Sequence, residues 1–184
     1  EIASCLVGSE MCIRDSLRVR DRERDSVTDP TPLASGPVVI GGSTGFMGQY
    51  LIPHLQSAGR EVITISRSGA DISWGDQAAI DRAVDGASLV IGLAGKSVNC
   101  RYTPENRAAI FRSRLDTTSS LSSAIARAAS PPPLWINSST ATIYRHAEER
   151  PMTESSGEIG TGFSVEVAKA WERALFADCL LYTS

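Results

Sequence analysis

Three glycines spaced three residues apart, in VVIGGSTGFMGQYL (38–51), constrain the fold of this chain most strongly. A short β-branched run precedes them and an amphipathic run follows, which predicts a strand, a tight turn and a helix. Gly42 permits the turn, Gly45 lets the backbone approach a bound group, and Gly48 lets the helix lie close to the strand. Free N–H groups at such a helix start favour a pyrophosphate. No Gly-Lys-Ser/Thr follows, which excludes a P-loop, and a turn without any ligand is the alternative.

Short β-branched runs alternate with longer helical patterns after this turn, which is typical of βαβ units and a parallel sheet. Thr103 at the N-cap and Pro104 at the first helical position mark the start of the longest helix. We therefore predict an α/β fold with a doubly wound parallel sheet, in which 133–139 is a buried strand. The predicted strands are 37–41, 61–66, a weak one at 70–74, 88–95 and 133–139, and the predicted helices are 46–59, 76–86, 103–129 and 164–176.

Composition narrows the possible classes of function. The chain has 184 residues, 42% of them hydrophobic, and a net charge of -3, which suits one globular domain. Basic and acidic residues are equal in number between 36 and 176, so nothing indicates a nucleic-acid-binding surface. No run approaches the roughly 18 apolar residues of a membrane span, and we expect no membrane partner.

Both ends of the chain look foreign to the fold. Residues 1–16 and 178–184 resemble translated adapter sequence, and 17–35 alternates in charge without an apolar period. We therefore expect a disordered or artefactual leader over 1–35, a nucleotide-binding domain over 36–177, and an artefactual tail over 178–184. Cys100 is the one cysteine outside these ends, which excludes a disulfide framework or a zinc site and favours the reducing cytoplasm.

The residues after the second predicted strand indicate which dinucleotide would bind. An NAD site offers a carboxylate there for the ribose 2′-hydroxyl, whereas this chain has Ser66 and Arg67. A guanidinium pairs with a 2′-phosphate that a carboxylate would repel. The sequence therefore predicts NADP(H) rather than NAD(H), with a solvated loop charge as the other interpretation of Arg67.

Five ordered motifs resemble those of the extended short-chain dehydrogenase/reductases. They are the glycine turn, LAG after the fourth strand, SSTATIY after the fifth, RYTPENRAAIFRSRLDTT (101–118) and GTGFSVEVAKAWERA (160–174). The last two resemble an atypical branch, the epimerase-family group of nucleoside-diphosphate-sugar epimerases. The resemblance runs from about 37 to 176, the N-terminal Rossmann part. It implies that the substrate-binding portion lies further on, so that the domain is a C-terminally truncated fragment.

The resemblance also implies roles for individual residues. Arg67, preceded by Ser66, would read the 2′-phosphate, and Thr140 would be the catalytic hydroxyl that bonds the reacting carbonyl or alcohol. Alternatively, the Thr140 hydroxyl only forms hydrogen bonds with backbone groups at the strand end. The remaining cofactor-binding residues implied are Gly42, Ser43, Thr44, Gly45, Phe46, Met47 and Gly48 in the turn, Leu93, Ala94 and Gly95 beside the adenosine and ribose, and Ser138 and Ser139 beside the nicotinamide.

One departure from the family pattern concerns proton transfer. These enzymes use a Tyr-x-x-x-Lys pair, in which the Lys lowers the pKa of the Tyr. Aligned on Trp171 and Glu172, the Tyr position is Ser164 and the Lys position is Ala168, so the pair is missing. Tyr144 is the one nearby phenol; it is a substitute catalytic residue or, alternatively, a packing residue.

Three hypotheses therefore remain open from the sequence. The first is an NADP(H)-dependent oxidoreductase or epimerase-like enzyme acting on a nucleotide sugar or small carbonyl, in which Lys96 and Arg101 either meet substrate charge or are simply exposed. The second is an inactive NADP(H)-binding sensor or interaction protein. The third is an α/β domain without a ligand.

Overall fold

The computed structural model describes residues 35–177. Residues 1–34 of the predicted leader and the predicted tail 178–184 lie outside the described residues.

A five-stranded parallel sheet forms the centre of the fold, with strand order β3-β2-β1-β4-β5. Val39 of β1 is in register with Ile63 of β2 on one side and Val90 of β4 on the other. The strands are β1 (Val38–Gly41), β2 (Val62–Ser66), β3 (Ile72–Ser73), β4 (Leu89–Gly92) and β5 (Trp135–Asn137). The helices are α1 (Phe46–Ser57), α2 (Gln77–Val84), α3 (Pro104–Arg127) and α4 (Phe163–Phe176), with a 3-10 turn at Ala141–Ile143. The doubly wound α/β prediction is confirmed.

Helices cover both faces of the sheet because the central strands are apolar on both sides. On one face Val38 and Ile40 pack against Ile52 and Leu55 of α1. On the other, side chains of β1, β2 and β4 pack against residues of α2 and α3, including Leu121. Fully buried parallel strands of this kind read as continuous apolar runs, as VVIG and LVIG do.

Local sequence explains where the helices start. The Asp76 carboxylate caps α2 by accepting from the Ala79 N–H, at 2.9 Å. Thr103 caps α3 by accepting from the Asn106 N–H, at 3.3 Å, and Pro104 follows at the first helical position, as predicted.

The prediction that 133–139 is a buried strand is wrong. Within the described residues β5 pairs with β4 alone and therefore forms an edge of the sheet. Ile136 is 48% exposed and Leu134 is 43% exposed as a result. An apolar run looks the same in a central strand and at an edge, since position in the sheet depends on the whole topology.

Residues 147–158 belong to a second compact unit. Arg150 holds this segment together through an ion pair with Glu158, at 2.6 Å, and a hydrogen bond to the Ser156 carbonyl, at 2.9 Å. The remaining described residues, 35–146 and 159–177, belong to the sheet-containing unit.

Among residues 35–177, no helix combines the length and the apolar character needed to cross a bilayer.

Candidate functional site

The glycine turn between β1 and α1 leaves no room for side chains at two positions. Gly42 has φ +85°, and a Cβ there would lie 2.7 Å from the Ala94 backbone nitrogen. At Gly48 a Cβ would lie 2.5 Å from the Ser43 carbonyl oxygen, so Gly48 packs on the turn backbone. Gly45, the N-cap of α1, faces open space apart from the Gly42 carbonyl oxygen. The turn therefore presents bare backbone at its outer side, where a ligand can come close.

The start of α1 provides the electrostatics of this turn. Gly45 has no side chain to cap the helix, and among the described residues no other side chain caps it. The first-turn N–H groups carry the positive end of the helix dipole and point toward the turn. Bare backbone and free donors together fit a pyrophosphate.

A cleft of about 390 Å³ opens beside the turn, at the carboxyl ends of the strands. The structure brings together eight residues that the sequence analysis assigned to cofactor binding, from the turn, the end of β2 and the loop after β4. Five further residues line the cleft, of which only Lys96 was considered as a candidate. The lining residues are Gly42, Thr44, Gly45, Ser66, Arg67, Leu93, Ala94 and Gly95, together with Trp74, Lys96, Ser113, Asp116 and Thr117.

Hydrogen bonds order the end of β2 within this cleft. The Thr44 and Ser66 hydroxyls lie 3.0 Å apart, which ties the glycine turn to the neighbouring strand end. Ser66 Oγ also donates to the Ser68 carbonyl, at 3.1 Å. Arg67 follows directly and is exposed, so its guanidinium has access to the cleft.

Helix α3 forms the opposite wall, which the sequence analysis did not assign to the site. Ser113 Oγ accepts from the Lys96 N–H, at 2.9 Å, and so attaches the helix to the loop after β4. Asp116 and Thr117 follow one turn later on the same side. The signal in the sequence is a polar stripe at i, i+3 and i+4, which gains meaning only when the packing of α3 is known.

Several other predicted cofactor residues do not line the cleft. Ser43 is buried, and Phe46 is 92% exposed. Met47 is exposed, Gly48 is buried, and Ser138 Oγ donates to the Gly92 carbonyl at 3.0 Å.

The two predicted catalytic residues lie apart from this cleft. Thr140 precedes the 3-10 turn, and its Oγ1 lies 3.0 Å from Thr142 Oγ1. Tyr144 lines a second cavity of about 740 Å³, together with Thr142 and Ser164. Tyr144 is half-buried there, which leaves both of its sequence interpretations, catalytic and packing, in place.

The positions of the missing Tyr-x-x-x-Lys pair are occupied by side chains without its chemistry. Ser164 is exposed and Ala168 is fully buried. Lys169 is turned to Glu166, with Nζ and Oε1 3.2 Å apart. Ser139 Oγ donates to Glu172 Oε1, at 2.8 Å, and connects the end of β5 to α4.

Arg114 supplies a half-buried positive charge behind the loop after β4. Its Nη1 donates to the carbonyls of Lys96 and Ile110, each at 3.1 Å, and its guanidinium lies 5.1 Å from the centre of the Trp171 ring. Burial lowers the pKa of Arg114, and the electrostatic interaction with the Tyr102 side chain opposes this shift, but an arginine remains protonated at any physiological pH. Arg114 therefore stabilises the loop after β4, which contains Leu93–Lys96.

Comparison with known protein families identifies the family of this chain. Residues 38–169 match the NAD dependent epimerase/dehydratase family, which is most of the chain. The chain belongs to this family.

Individual relatives show how much of a family member is present. The bovine epimerase family protein SDR39U1 is 31% identical over 142 residues, which cover 74% of this chain and 48% of that protein. The crystal structure of human SDR39U1 (isoform 2) with NADPH superposes with a TM-score of 0.69 and 30% identity, over 76% of this chain and 48% of that one. A nucleoside-diphosphate sugar epimerase from Corynebacterium glutamicum superposes with a TM-score of 0.62 and 27% identity, over 79% and 31% of the two chains. The chain thus spans about half the length of the curated relatives it matches.

Proposed function

We propose that this chain binds NADP(H) in the cleft beside the glycine turn, as the cofactor-binding part of an oxidoreductase or nucleotide-sugar epimerase-like enzyme. The observation that carries the proposal is the juxtaposition of the bare turn backbone, the uncapped start of α1 and Arg67 around one cleft. The NADPH in the human SDR39U1 structure supports the same cofactor.

Each part of the cleft has a distinct task in this proposal. The turn from Gly42 to Gly48 and the α1 N–H groups hold the pyrophosphate. Arg67 pairs with the 2′-phosphate, and Leu93–Gly95 contact the adenosine and ribose side. When bound, the cofactor supplies hydride transfer at C4 of its nicotinamide ring.

Arg67→Asp tests the choice of cofactor. Reversing the charge replaces a favourable pairing with repulsion of the 2′-phosphate, whereas NADH lacks that group. We expect NADPH binding, measured by isothermal titration calorimetry, to weaken by about a hundredfold, and NADH binding to change less than about threefold.

The matched control is Arg82→Asp, an exposed arginine on α2 that does not line the cleft. It makes the same change in net charge and should alter neither affinity appreciably. Equal losses for NADPH and NADH in Arg67→Asp would mean that Arg67 does not read the phosphate.

The proposed chemistry depends on two side chains that follow β5. We assign Thr140 as the hydroxyl that orients the substrate, and Tyr144 as the candidate proton donor, because Tyr144 lines a cavity together with Ser164 at the Tyr position. The nucleoside-diphosphate sugar epimerase from Corynebacterium glutamicum supports a nucleotide sugar as substrate, with small carbonyls as the other class. We place the protein in the cytoplasm, a location that is favoured because Cys100 is the one cysteine among the described residues.

A second function, an NADP(H)-binding sensor without chemistry, is favoured by Ser164 and Ala168 at the two pair positions. NADPH oxidation by the protein, measured with nucleotide sugars and small carbonyls as substrates, separates the two. Turnover that Tyr144→Phe abolishes supports the enzyme, whereas tight NADPH binding without turnover supports the sensor.

A further inference from the structure

One acidic side chain stands in a cleft whose other charged groups are basic. Among the described residues that line the cleft, Arg67 and Lys96 are cationic and Asp116 alone is anionic. Asp116 is exposed, and no hydrogen bond or ion pair joins its carboxylate to another described residue. Its carboxylate repels phosphate groups, so the part of a ligand that lies against it has to be neutral and able to donate a hydrogen bond.

The position of Asp116 along α3 shows which part of the cleft it faces. One turn earlier, Ser113 Oγ accepts from the Lys96 N–H, at 2.9 Å, beside the loop after β4. One turn later, Ser120 Oγ donates to Gln77 Oε1, at 2.6 Å, at the start of α2. Asp116 therefore lies between the loop after β4 and the segment that joins β3 to α2.

That segment contributes Trp74, a flat apolar surface in the same cleft. The Trp74 ring lies across the end of β1, where a Cβ on Gly41 would be 2.7 Å from Cη2. The backbone N–H of Trp74 donates to the Ser66 carbonyl, at 3.1 Å, which holds Trp74 beside the strand end that precedes Arg67. An aromatic surface, a free carboxylate and a guanidinium nearby suit a nucleobase on a phosphorylated ribose.

We propose that Asp116 selects adenine as the base of the bound dinucleotide, by accepting a hydrogen bond from the 6-amino group while Trp74 forms the apolar wall of the base pocket. This inference rests on the proposed binding of NADP(H) in the cleft. A 6-keto base, as in hypoxanthine, turns an oxygen lone pair to the carboxylate at the same point and is disfavoured.

Selectivity between two cofactors that differ only at this atom tests the assignment. Isothermal titration calorimetry on the 184-residue chain compares NADPH with reduced nicotinamide hypoxanthine dinucleotide phosphate. A hydrogen bond to a charged group predicts that the wild type binds NADPH roughly ten- to a hundredfold more tightly. In Asp116→Asn the amide can accept from an amine or donate to a keto oxygen, so the ratio should fall to within about threefold.

Glu61→Gln is the matched control, at an exposed acid directly before β2 that does not line the cleft. It removes one negative charge, as Asp116→Asn does, but should keep the wild-type ratio. The ratio is the readout because loss of a negative charge strengthens binding of both phosphorylated cofactors alike. Asp116→Ser gives the same test if the Asn variant does not fold.

The outcomes distinguish this inference from the function on which it rests. An unchanged ratio in Asp116→Asn, with NADPH still bound, overturns the role of Asp116 alone. Failure of the wild-type chain to bind either cofactor overturns the proposed function and the base selection together.

Discussion

Gly42 is the residue on which the local geometry of the site depends. Its φ of +85° requires a conformation that other residues adopt at a cost, and the Ala94 backbone occupies the space that a Cβ would need. The contact joins the turn after β1 to the loop after β4, so one glycine sets the spacing between two walls of the cleft.

A comparison of Gly42→Ala with Gly59→Ala separates the cost of the positive φ from the cost of the close approach to the Ala94 backbone. Gly59 also has a positive φ, +75°, but nothing lies within 4 Å of the position of its Cβ. We expect Gly59→Ala to lower the free energy of unfolding by about 1 kcal/mol and to leave the Kd for NADPH unchanged. Gly42→Ala should cost more, since backbone has to move, and should abolish NADPH binding.

Urea denaturation and calorimetry of the two variants provide the measurements. Equal loss of stability with NADPH binding retained in both would show that the Ala94 contact carries no functional constraint.

Strand β3, two residues long, depends on side-chain contacts with β2. Asp71 Oδ2 accepts from the Thr64 hydroxyl, at 2.7 Å, and from the Thr64 N–H, at 2.9 Å. The Thr64 hydroxyl in turn accepts from the Asp71 N–H, at 3.0 Å. These hydrogen bonds lower the pKa of Asp71 below its ordinary value of 3.8, and the bond from the Thr64 hydroxyl has the largest effect. The ionised carboxylate therefore stabilises the folded state.

The β2–β3 clamp, that is, the set of hydrogen bonds between Asp71 and Thr64, is tested by the pH dependence of stability in Asp71→Asn. A lowered pKa in the folded state contributes stability that is fully present above pH 3.8 and is lost as the pH falls through the folded value. We expect the variant to be about 0.5 to 1 kcal/mol less stable at pH 7, a small effect because Asp71 is exposed to solvent.

The difference between wild type and Asp71→Asn should shrink toward zero as the pH is lowered past the folded pKa, in urea denaturation at a series of pH values. Glu61→Gln, at an exposed acid outside the β2–β3 clamp, provides the comparison. A difference independent of pH would exclude ionised Asp71 as its source.

At the scale of the whole sheet-containing unit, α4 is attached to the sheet layers largely through α3. The Trp171 indole N–H donates to Thr118 Oγ1, at 2.8 Å, in a buried hydrogen bond between the two helices. Both side chains are almost completely buried, so water cannot replace either partner.

Thr118→Val removes the acceptor while keeping the shape of the side chain. The indole N–H then stays buried without a partner, which should cost about 1 to 3 kcal/mol of unfolding free energy. Relative to the wild type, hydrogen exchange should speed up more in α4 than in β1 and β4, because the lost bond attaches α4 to α3. The exposed Ser119→Ala is the control, and slower or unchanged exchange in α4 would contradict this role of Thr118.

Features of this fold that have a local physical cause could be predicted from the sequence. The strand, turn and helix around Gly42 and the start of α3 at Thr103 and Pro104 follow from backbone freedom, capping and periodicity within a few residues. Their alternation implied the parallel sheet, since parallel strands need crossover helices. The same locality placed Arg67 at the end of β2.

Other features depend on contacts between distant segments. The edge position of β5, the Thr118–Trp171 bond and the Asp116 and Trp74 walls of the cleft join residues that lie tens of positions apart. The sequence by itself therefore determined the parallel α/β sheet and the glycine turn, because short-range sterics and hydrophobic periodicity specify them. Only the tertiary structure decided which polar side chains of α3 face the cleft, because packing against α2, α4 and the sheet orients that helix.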